Sequence, residues 1–124
     1  MSKVVLLDDN LFLTAQVEGA LRRAGREFVT FAPTPGGARQ AAQESPTAVL
    51  VSINSARPDI AAVVAALRAG TEARIIAYTG HLEAGRIQEA RAAGVDRVVA
   101  NSAVTADPVA ILGGPDLMSS AETE

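Results

Sequence analysis

The chain has 124 residues, of which 48% are hydrophobic and 20% are charged, and its formal net charge at pH 7 is −3. This length and composition fit one globular domain with one packed core, and they exclude wholesale disorder. The lack of cysteine excludes disulfides and thiolate chemistry and suits a reducing cytoplasm, and the scattered basic residues exclude an electrostatic footprint for nucleic acid.

Short apolar segments rich in β-branched residues alternate with longer alanine-rich segments along the chain. The predicted strands cover residues 4–7, 28–31, 48–51, 74–78 and 97–100. The predicted helices cover residues 13–24, 38–44, 59–69, 83–93 and 106–112. This alternation is typical of β-α units around a parallel sheet. The first apolar run is too short for a secretory signal or a membrane span, so we expect neither.

Glycine and proline mark the ends of the predicted helices. Gly25 ends the first helix, and Pro58 opens the third helix at a first-turn position. The segment at residues 113–115, Gly-Gly-Pro, cuts the last helix off after about two turns. We therefore predict one domain over residues 1–112 and a mobile C-terminal tail over residues 113–124.

Three short motifs follow one another in register with the predicted strands. They are Asp8-Asp9 after the first strand, Thr79-Gly80 after the fourth, and Ala-Gly-Val-Asp at residues 93–96 before the fifth. In these motifs the chain resembles a response-regulator receiver domain of two-component signalling, over residues 3–104. The resemblance implies an α/β fold of the flavodoxin-like type, a three-layer α/β/α sandwich. Its five-stranded parallel sheet has the strand order 2-1-3-4-5, and the last helix is short.

The resemblance also implies where the functional residues lie. The cleft is expected where the first and third strands diverge, with Asp8, Asp9, Ser52, Thr79 and Asn101 facing it. In the family, an aspartate after the third strand accepts a phosphoryl group, and the acidic pair helps to hold a magnesium ion. Here Ser52 stands at the position of the phosphoacceptor, so we expect ordinary phosphorelay chemistry to fail.

Two further positions depart from the family pattern. The lysine expected after the fifth strand is Asn101, and the aromatic residue expected on that strand is Val98, while Thr79 keeps the hydroxyl of the switch position. Because Ser52 and Asn101 are both neutral, the paired change leaves no uncompensated charge. The resemblance therefore implies a degenerate, pseudo-receiver form of the domain without the usual rotamer switch.

The two remaining acids leave a weak cation site open. Asp8, Asp9 and the backbone of Asn54 are the expected ligands of a weakly bound Mg²⁺, and no cofactor is required. The binding is expected to be weak because magnesium sites of this kind usually include a phosphate, which this site would lack.

We predict an atypical receiver-like signalling module that is not an enzyme and that regulates a partner by phosphorylation-independent protein binding in the cytoplasm. The expected partner is a histidine kinase or another signalling protein, a homodimer is left open, and neither nucleic acid nor a membrane is expected. One alternative is an unorthodox response regulator switched by metal, by phosphorylation of Ser52 or by a small ligand. Another is a flavodoxin-like nucleotide or cofactor binder. Asp8-Asp9 argues against it by repelling phosphate, and Gly36-Gly37 is a weaker loop for that role.

Simpler interpretations apply to the same residues. Asp8-Asp9-Asn10 also fits a helix cap, Thr79-Gly80 a turn after a strand, and Ser52 a polar strand end satisfied by nearby backbone. His81 is the only histidine, and we expect it to be solvated in a loop because one histidine cannot build a metal site alone.

Overall fold

The computed structural model describes residues 3–53, 59–80 and 84–113. Within these ranges strands and helices alternate along the chain. The strands are β1 (Lys3–Leu7), β2 (Glu27–Phe31), β3 (Ala48–Ser52), β4 (Arg74–Thr79) and β5 (Arg97–Ala100). The helices are α1 (Leu11–Arg23), α2 (Pro35–Gln43), α3 (Ile60–Arg68), α4 (Ala84–Ala93), α5 (Asn101–Ala106) and α6 (Pro108–Gly113).

The five strands form one sheet in the order β2-β1-β3-β4-β5, and every neighbouring pair is parallel. All five residues of β3 are buried, as expected for a central strand covered on both faces. The chain order reverses between β1 and β3, which places a topological switch point at their carboxyl ends. The predicted flavodoxin-like sheet is confirmed.

Each face of the sheet packs against its own set of helices. One core cluster joins alternate strand residues to α2, α3 and α4 through side chains such as Val63 and Leu67. The other cluster joins the intervening strand residues to α1, α5 and α6 through side chains such as Val17, Val104 and Ile111. Because side chains alternate along a strand, the odd and even positions of one strand serve different clusters. The result is the predicted three-layer sandwich.

Local capping explains where most helices begin. The side chain of Asn10 accepts a hydrogen bond from Leu13 N at the start of α1, and Asp59 Oδ1 accepts from Ala62 N at the start of α3. Gly25 has a positive φ of 73° just after α1, as its predicted role at the helix end requires. Helix α3 begins at Ile60, one residue after the predicted start at Asp59, and Pro58, which the sequence analysis places in the first turn, lies outside the described residues.

The second helix begins earlier than the sequence predicts. Thr34 Oγ1 accepts a hydrogen bond from Gly37 N at 3.0 Å, and Pro35 occupies the first turn, where a missing N–H costs nothing. Gly36 and Gly37 therefore lie inside α2 and not in the loop before it that the sequence analysis expects. Packing requires glycine at position 37, since a Cβ there would stand 1.9 Å from Ala32 O.

Two short helices follow β5, where the sequence predicts one. Asp107 has φ −158° and ψ 80°, which ends α5, and its Oδ1 accepts a hydrogen bond from Ala110 N at the start of α6. Pro108 disfavours a helical conformation at the residue before it and removes one donor, so α6 begins two residues later than the predicted helix over 106–112, and the sequence did not predict α5. Gly113 belongs to α6, and the rest of the predicted tail lies outside the described residues.

In the part of the chain that the structure describes, the longest helix is α1 with 13 residues. None of the described helices has the length and apolarity that crossing a bilayer requires.

Candidate functional site

The candidate site lies at the end of the sheet where the strands terminate, which we call the carboxyl edge. Its residues are Asp8, Asp9, Ser52, Thr79 and Asn101. Ser52 and Thr79 are the last residues of β3 and β4, the two acids follow β1, and Asn101 follows β5. The strand register aligns these ends through the pairs Leu7↔Val51, Ser52↔Tyr78 and Thr79↔Ala100. The structure thus brings the predicted residues to one end of the sheet.

Three of these five residues are buried. Asp8 is 5% exposed, and Ser52 and Thr79 are each 3% exposed. Asp9 is exposed, and Asn101 has intermediate burial. The site is therefore an enclosed polar row with one accessible carboxylate beside it.

Asp8 is held by two hydrogen bonds, one to each carboxylate oxygen. Tyr78 Oη donates to Oδ2 at 2.6 Å, and the backbone N of Asn10 donates to Oδ1 at 2.8 Å. The shorter bond is within the range of O–H···O⁻ contacts, which are stronger than bonds between neutral groups. The side chain of Asp8 is therefore fixed in place by partners on β4 and at the start of α1.

Tyr78 reaches Asp8 across an intervening strand. The sheet order puts β3 between β1 and β4, and Ser52 is the residue of β3 that pairs with Tyr78. Asp8 follows Leu7, which pairs with Val51, so Asp8 is level with Ser52 on the other side. The Tyr78–Asp8 hydrogen bond consequently bridges β3 at Ser52, which is already buried in the central strand.

Tyr78 is fully buried, and this burial is the main cause of its raised pKa. Desolvation of the phenolate raises the pKa of Tyr78 well above its ordinary value of 10.0, and the negative charge and hydrogen bond of Asp8 raise it further. The hydroxyl therefore stays protonated at neutral pH and remains the donor to Asp8.

The sequence interpretation did not single out Tyr78, although two signals point to it. It is the only tyrosine in the chain, and a buried tyrosine hydroxyl usually finds a partner. The two-residue period of a strand also places it on the same face of the sheet as Ile76, next to Ser52. The sequence does not show that the Tyr78 hydroxyl extends across β3 to Asp8, because this contact depends on the order of the strands in the sheet.

The first turn of α1 is exposed and apolar. Leu11 is 86% exposed and Phe12 is 83% exposed, immediately after Asp9 and Asn10 in the chain. The predicted capping role falls on Asn10, whereas Asp8 accepts from Asn10 N and is not the cap of α1. The carboxyl edge is thus bordered by two large apolar side chains.

Four other residues that the sequence analysis names are Asn101, Val98, Asn54 and His81. Asn101 is the first residue of α5, and its carbonyl oxygen accepts a hydrogen bond from Thr105 Oγ1 at 3.2 Å. Val98 is partly buried and packs against the cluster that faces α2, α3 and α4. Asn54 and His81 lie outside the described residues.

A polar cavity of about 430 Å³ lies at the opposite end of the sheet, where β4 begins. Its lining includes Arg68 and Asp96, which form an ion pair at 2.8 Å, and Asp96 also accepts from Ile75 N at 2.8 Å. Because Arg74 at the start of β4 also lines it, the cavity is separate from the carboxyl edge.

No protein-family model and no curated protein matches the chain. Solved structures match it over most of its length. A response regulator from Burkholderia pseudomallei, with a phosphorylated aspartic acid, a calcium ion and citrate, has a TM-score of 0.80 at 22% identity, covering 99% of this chain and 73% of that one. A CheY-like receiver domain protein from Methanospirillum hungatei JF-1 has a TM-score of 0.76 at 17% identity, covering 98% of each chain. The chain has the receiver fold.

A third match has a receiver fold and a cation. It is the receiver domain of sensor histidine kinase PA1611 from Pseudomonas aeruginosa PAO1, with magnesium coordinated in its active-site cleft. Its TM-score is 0.75 at 22% identity, covering 90% of this chain and 93% of that one. Identities at this level establish the fold, and they confirm the architecture that the three sequence motifs predict.

The residues of this chain fit a magnesium ion poorly. The described residues contain no group of three or more acidic, histidine or cysteine side chains that could hold a metal. Magnesium requires near-octahedral oxygen ligands and gives up its water reluctantly, whereas Asp8 is buried with both oxygens hydrogen-bonded. Asp9 is the accessible carboxylate among the three residues that follow β1.

Proposed function

We propose that this protein is a receiver-like signalling module that controls a protein partner by binding, without aspartyl phosphorylation. The observation that carries the proposal is Ser52, a buried hydroxyl at the carboxyl end of β3 in a receiver fold. Transfer of a phosphoryl group to this position would require a carboxylate nucleophile. A serine hydroxyl is a poor nucleophile unless a base activates it, and it would give a stable ester.

The carboxylates of Asp59 and Asp8 have other roles. Asp59 is the next carboxylate after Ser52 in the chain, and its side chain caps α3 through Ala62 N at 3.2 Å. Asp8 is engaged by Tyr78 and by Asn10 N. These contacts support a site without a phosphoacceptor, because neither carboxylate can leave its partners without a loss of hydrogen bonding.

The neutral pair of Ser52 and Asn101 also supports the proposal. A lysine at position 101 would bring a charge to this partly buried edge without the acceptor carboxylate that the resemblance pairs it with. Asparagine offers both a donor and an acceptor at no such cost. The two neutral side chains are therefore compatible with a carboxyl edge whose charge is not changed by phosphorylation.

The first turn of α1 supports a role in protein binding. Leu11 and Phe12 expose large apolar side chains that the domain core does not use. We propose a histidine kinase or another signalling protein as the partner, in line with a matched structure that is the receiver domain of a sensor histidine kinase. Two side chains supply about 350 Å² at most, less than the roughly 800 Å² per partner of a stable interface, so any partner, a second copy of the chain included, must also contact residues around them.

Incubation with acetyl phosphate and magnesium, followed by intact-mass measurement, tests the proposal. We expect an unchanged mass for this protein and an adduct on the Burkholderia response regulator, whose solved structure has a phosphorylated aspartic acid, as the positive control. A stoichiometric, acid-labile adduct on this protein would contradict the proposal. An acid-stable phosphate on Ser52 would favour the unorthodox regulator, and a cofactor that absorbs light in the purified protein would favour the cofactor binder.

A further inference from the structure

We infer that Tyr78 makes the carboxyl edge insensitive to divalent cations, by holding Asp8 in a buried hydrogen bond that bridges β3 above Ser52. The inference concerns cation binding and deepens the proposed function, on which its role in signalling rests. Two of the matched receiver structures hold a divalent cation, calcium in one and magnesium in the other. The assigned role of Tyr78 is to exclude such an ion here.

The first step is the geometry of Asp8. Its Oδ2 accepts from Tyr78 Oη at 2.6 Å, its Oδ1 accepts from Asn10 N at 2.8 Å, and the residue is 5% exposed. A carboxylate oxygen has a second acceptor direction, but at 5% exposure Asp8 offers solvent little access to it. A hydrated magnesium ion needs room for several waters as well as for its ligand.

The second step is the cost of rearrangement. A cation that reached Asp8 would turn its carboxylate away from Tyr78 and leave a fully buried hydroxyl with no acceptor. Loss of one buried hydrogen-bond partner corresponds to about a 10- to 100-fold loss of cation affinity, or about 1.4 to 2.8 kcal/mol at 1.4 kcal/mol per factor of ten. Removal of the hydroxyl removes this penalty.

The third step is the position of Ser52. Because the hydrogen bond bridges β3 at this residue, a carboxylate introduced by Ser52→Asp would still share its space with Tyr78. Weak cation binding therefore has two causes under this inference, the missing carboxylate at position 52 and the hydrogen bond from Tyr78 to Asp8.

The test compares the magnesium affinity of Ser52→Asp with that of Ser52→Asp/Tyr78→Phe, measured by proton–nitrogen NMR titration with MgCl₂. We expect the double variant to bind at least 10-fold more tightly, with shifts at Asp8 and Asp9. The matched control is Ser52→Asp/Thr14→Val, because Thr14 Oγ1 is a buried hydroxyl on α1 that has no hydrogen-bond partner among the described residues. This control should bind magnesium as Ser52→Asp does.

Equal affinities of Ser52→Asp and Ser52→Asp/Tyr78→Phe for magnesium, including an absence of binding to both, would overturn the inference. The unsubstituted protein provides a second measurement that does not depend on the folding of any variant. Tyr78 is the only tyrosine and the chain has no tryptophan, so tyrosine emission reports this one hydroxyl. Millimolar MgCl₂ should leave that emission unchanged, and a saturable change would also overturn the inference. Failure of the proposed function would appear instead as a mass increase with acetyl phosphate.

Discussion

The hydroxyl of Tyr78 lies 2.6 Å from Asp8 Oδ2, although the two residues are 70 positions apart in the chain. One residue belongs to β4 and the other follows β1, and β3 runs between them. Their hydrogen bond therefore couples the first strand of the sheet to the fourth at the carboxyl edge.

Tyr78→Phe should destabilise the protein because the buried carboxylate of Asp8 loses its donor from β4. Hydrogen bonds to charged groups contribute about 1.5–3 kcal/mol, so we expect a loss of that size in the free energy of unfolding, measured by urea denaturation. Thr14→Val is the control, since its buried Oγ1 has no partner within the described ranges, and it should not lower stability. A loss below about 0.5 kcal/mol for Tyr78→Phe would show that the hydrogen bond is not a stabilising contact.

Alkaline pH should destabilise the protein through the same residue. The folded pKa of Tyr78 lies well above 10.0, its ordinary value, because burial and then the charge of Asp8 disfavour the phenolate. The folded state therefore binds more protons than the unfolded state above pH 10.0, so stability is fully present below that pH and falls as the pH rises further. Urea denaturation across this range should show a shallower fall for Tyr78→Phe. An identical fall in both proteins would assign the alkaline loss to other groups.

Gly37→Ala should disturb the start of α2. A Cβ at this position would stand 1.9 Å from Ala32 O, which is backbone and cannot rotate away. We expect a loss of about 1–3 kcal/mol or more in the free energy of unfolding, as for other overpacked sites. Gly36→Ala is the matched control, because its Cβ would meet atoms no closer than 3.8 Å. If the two variants were equally stable, the close approach of α2 to Ala32 would be wrong.

Leu11→Ser/Phe12→Ser should leave folding almost unchanged. Both side chains are more than four-fifths exposed, at 86% and 83%, so their loss should alter the free energy of unfolding by no more than about 0.5 kcal/mol. Leu13→Ala is the contrasting variant, because Leu13 is 8% exposed in the core beneath α1 and should cost about 2–5 kcal/mol. Thermal or urea denaturation distinguishes the two. A large loss from the double variant would mean that the apolar turn serves the fold and not a partner.

Asp96→Ala should weaken the junction between α3 and the start of β4. Asp96 Oδ2 accepts from Arg68 Nη2 and from Ile75 N, each at 2.8 Å, and the ion pair is partly exposed. The backbone bond should account for most of an expected loss of about 1 kcal/mol, since exposed ion pairs contribute little. Glu72→Ala, in the lining of the same cavity, should stay within about 0.5 kcal/mol of the unsubstituted protein. Equal losses of stability from Asp96→Ala and Glu72→Ala would contradict the stabilising role of the hydrogen bond from Ile75 N to Asp96.

Much of the fold is predictable from the sequence because its determinants are local. The alternation of apolar runs with alanine-rich segments identifies all five strands, and Gly25 marks the end of α1. Features that depend on a single residue at a junction are harder to predict. The break at Asp107 needs the effect of Pro108 on its neighbour, and the early start of α2 needs the cap from Thr34.

The candidate site is predictable in position but not in its contacts. The receiver resemblance brings Asp8, Ser52 and Thr79 to one edge, because residues that end parallel strands meet there. The bond from Tyr78 is not visible in any local pattern, since it depends on sheet order, register and side-chain length together. It is also the contact that decides how the first acid of the pair is used.

The bridge from Tyr78 over β3 also has a consequence for the dynamics of this end of the sheet. The ends of strands in α/β sheets commonly open in small local fluctuations. Here the end of β1 cannot move away from β4 without breaking a buried, charge-assisted hydrogen bond. Amide protons at the ends of β1, β3 and β4 should therefore exchange with solvent only when the whole domain unfolds. Tyr78→Phe should release them to exchange separately, one strand end at a time.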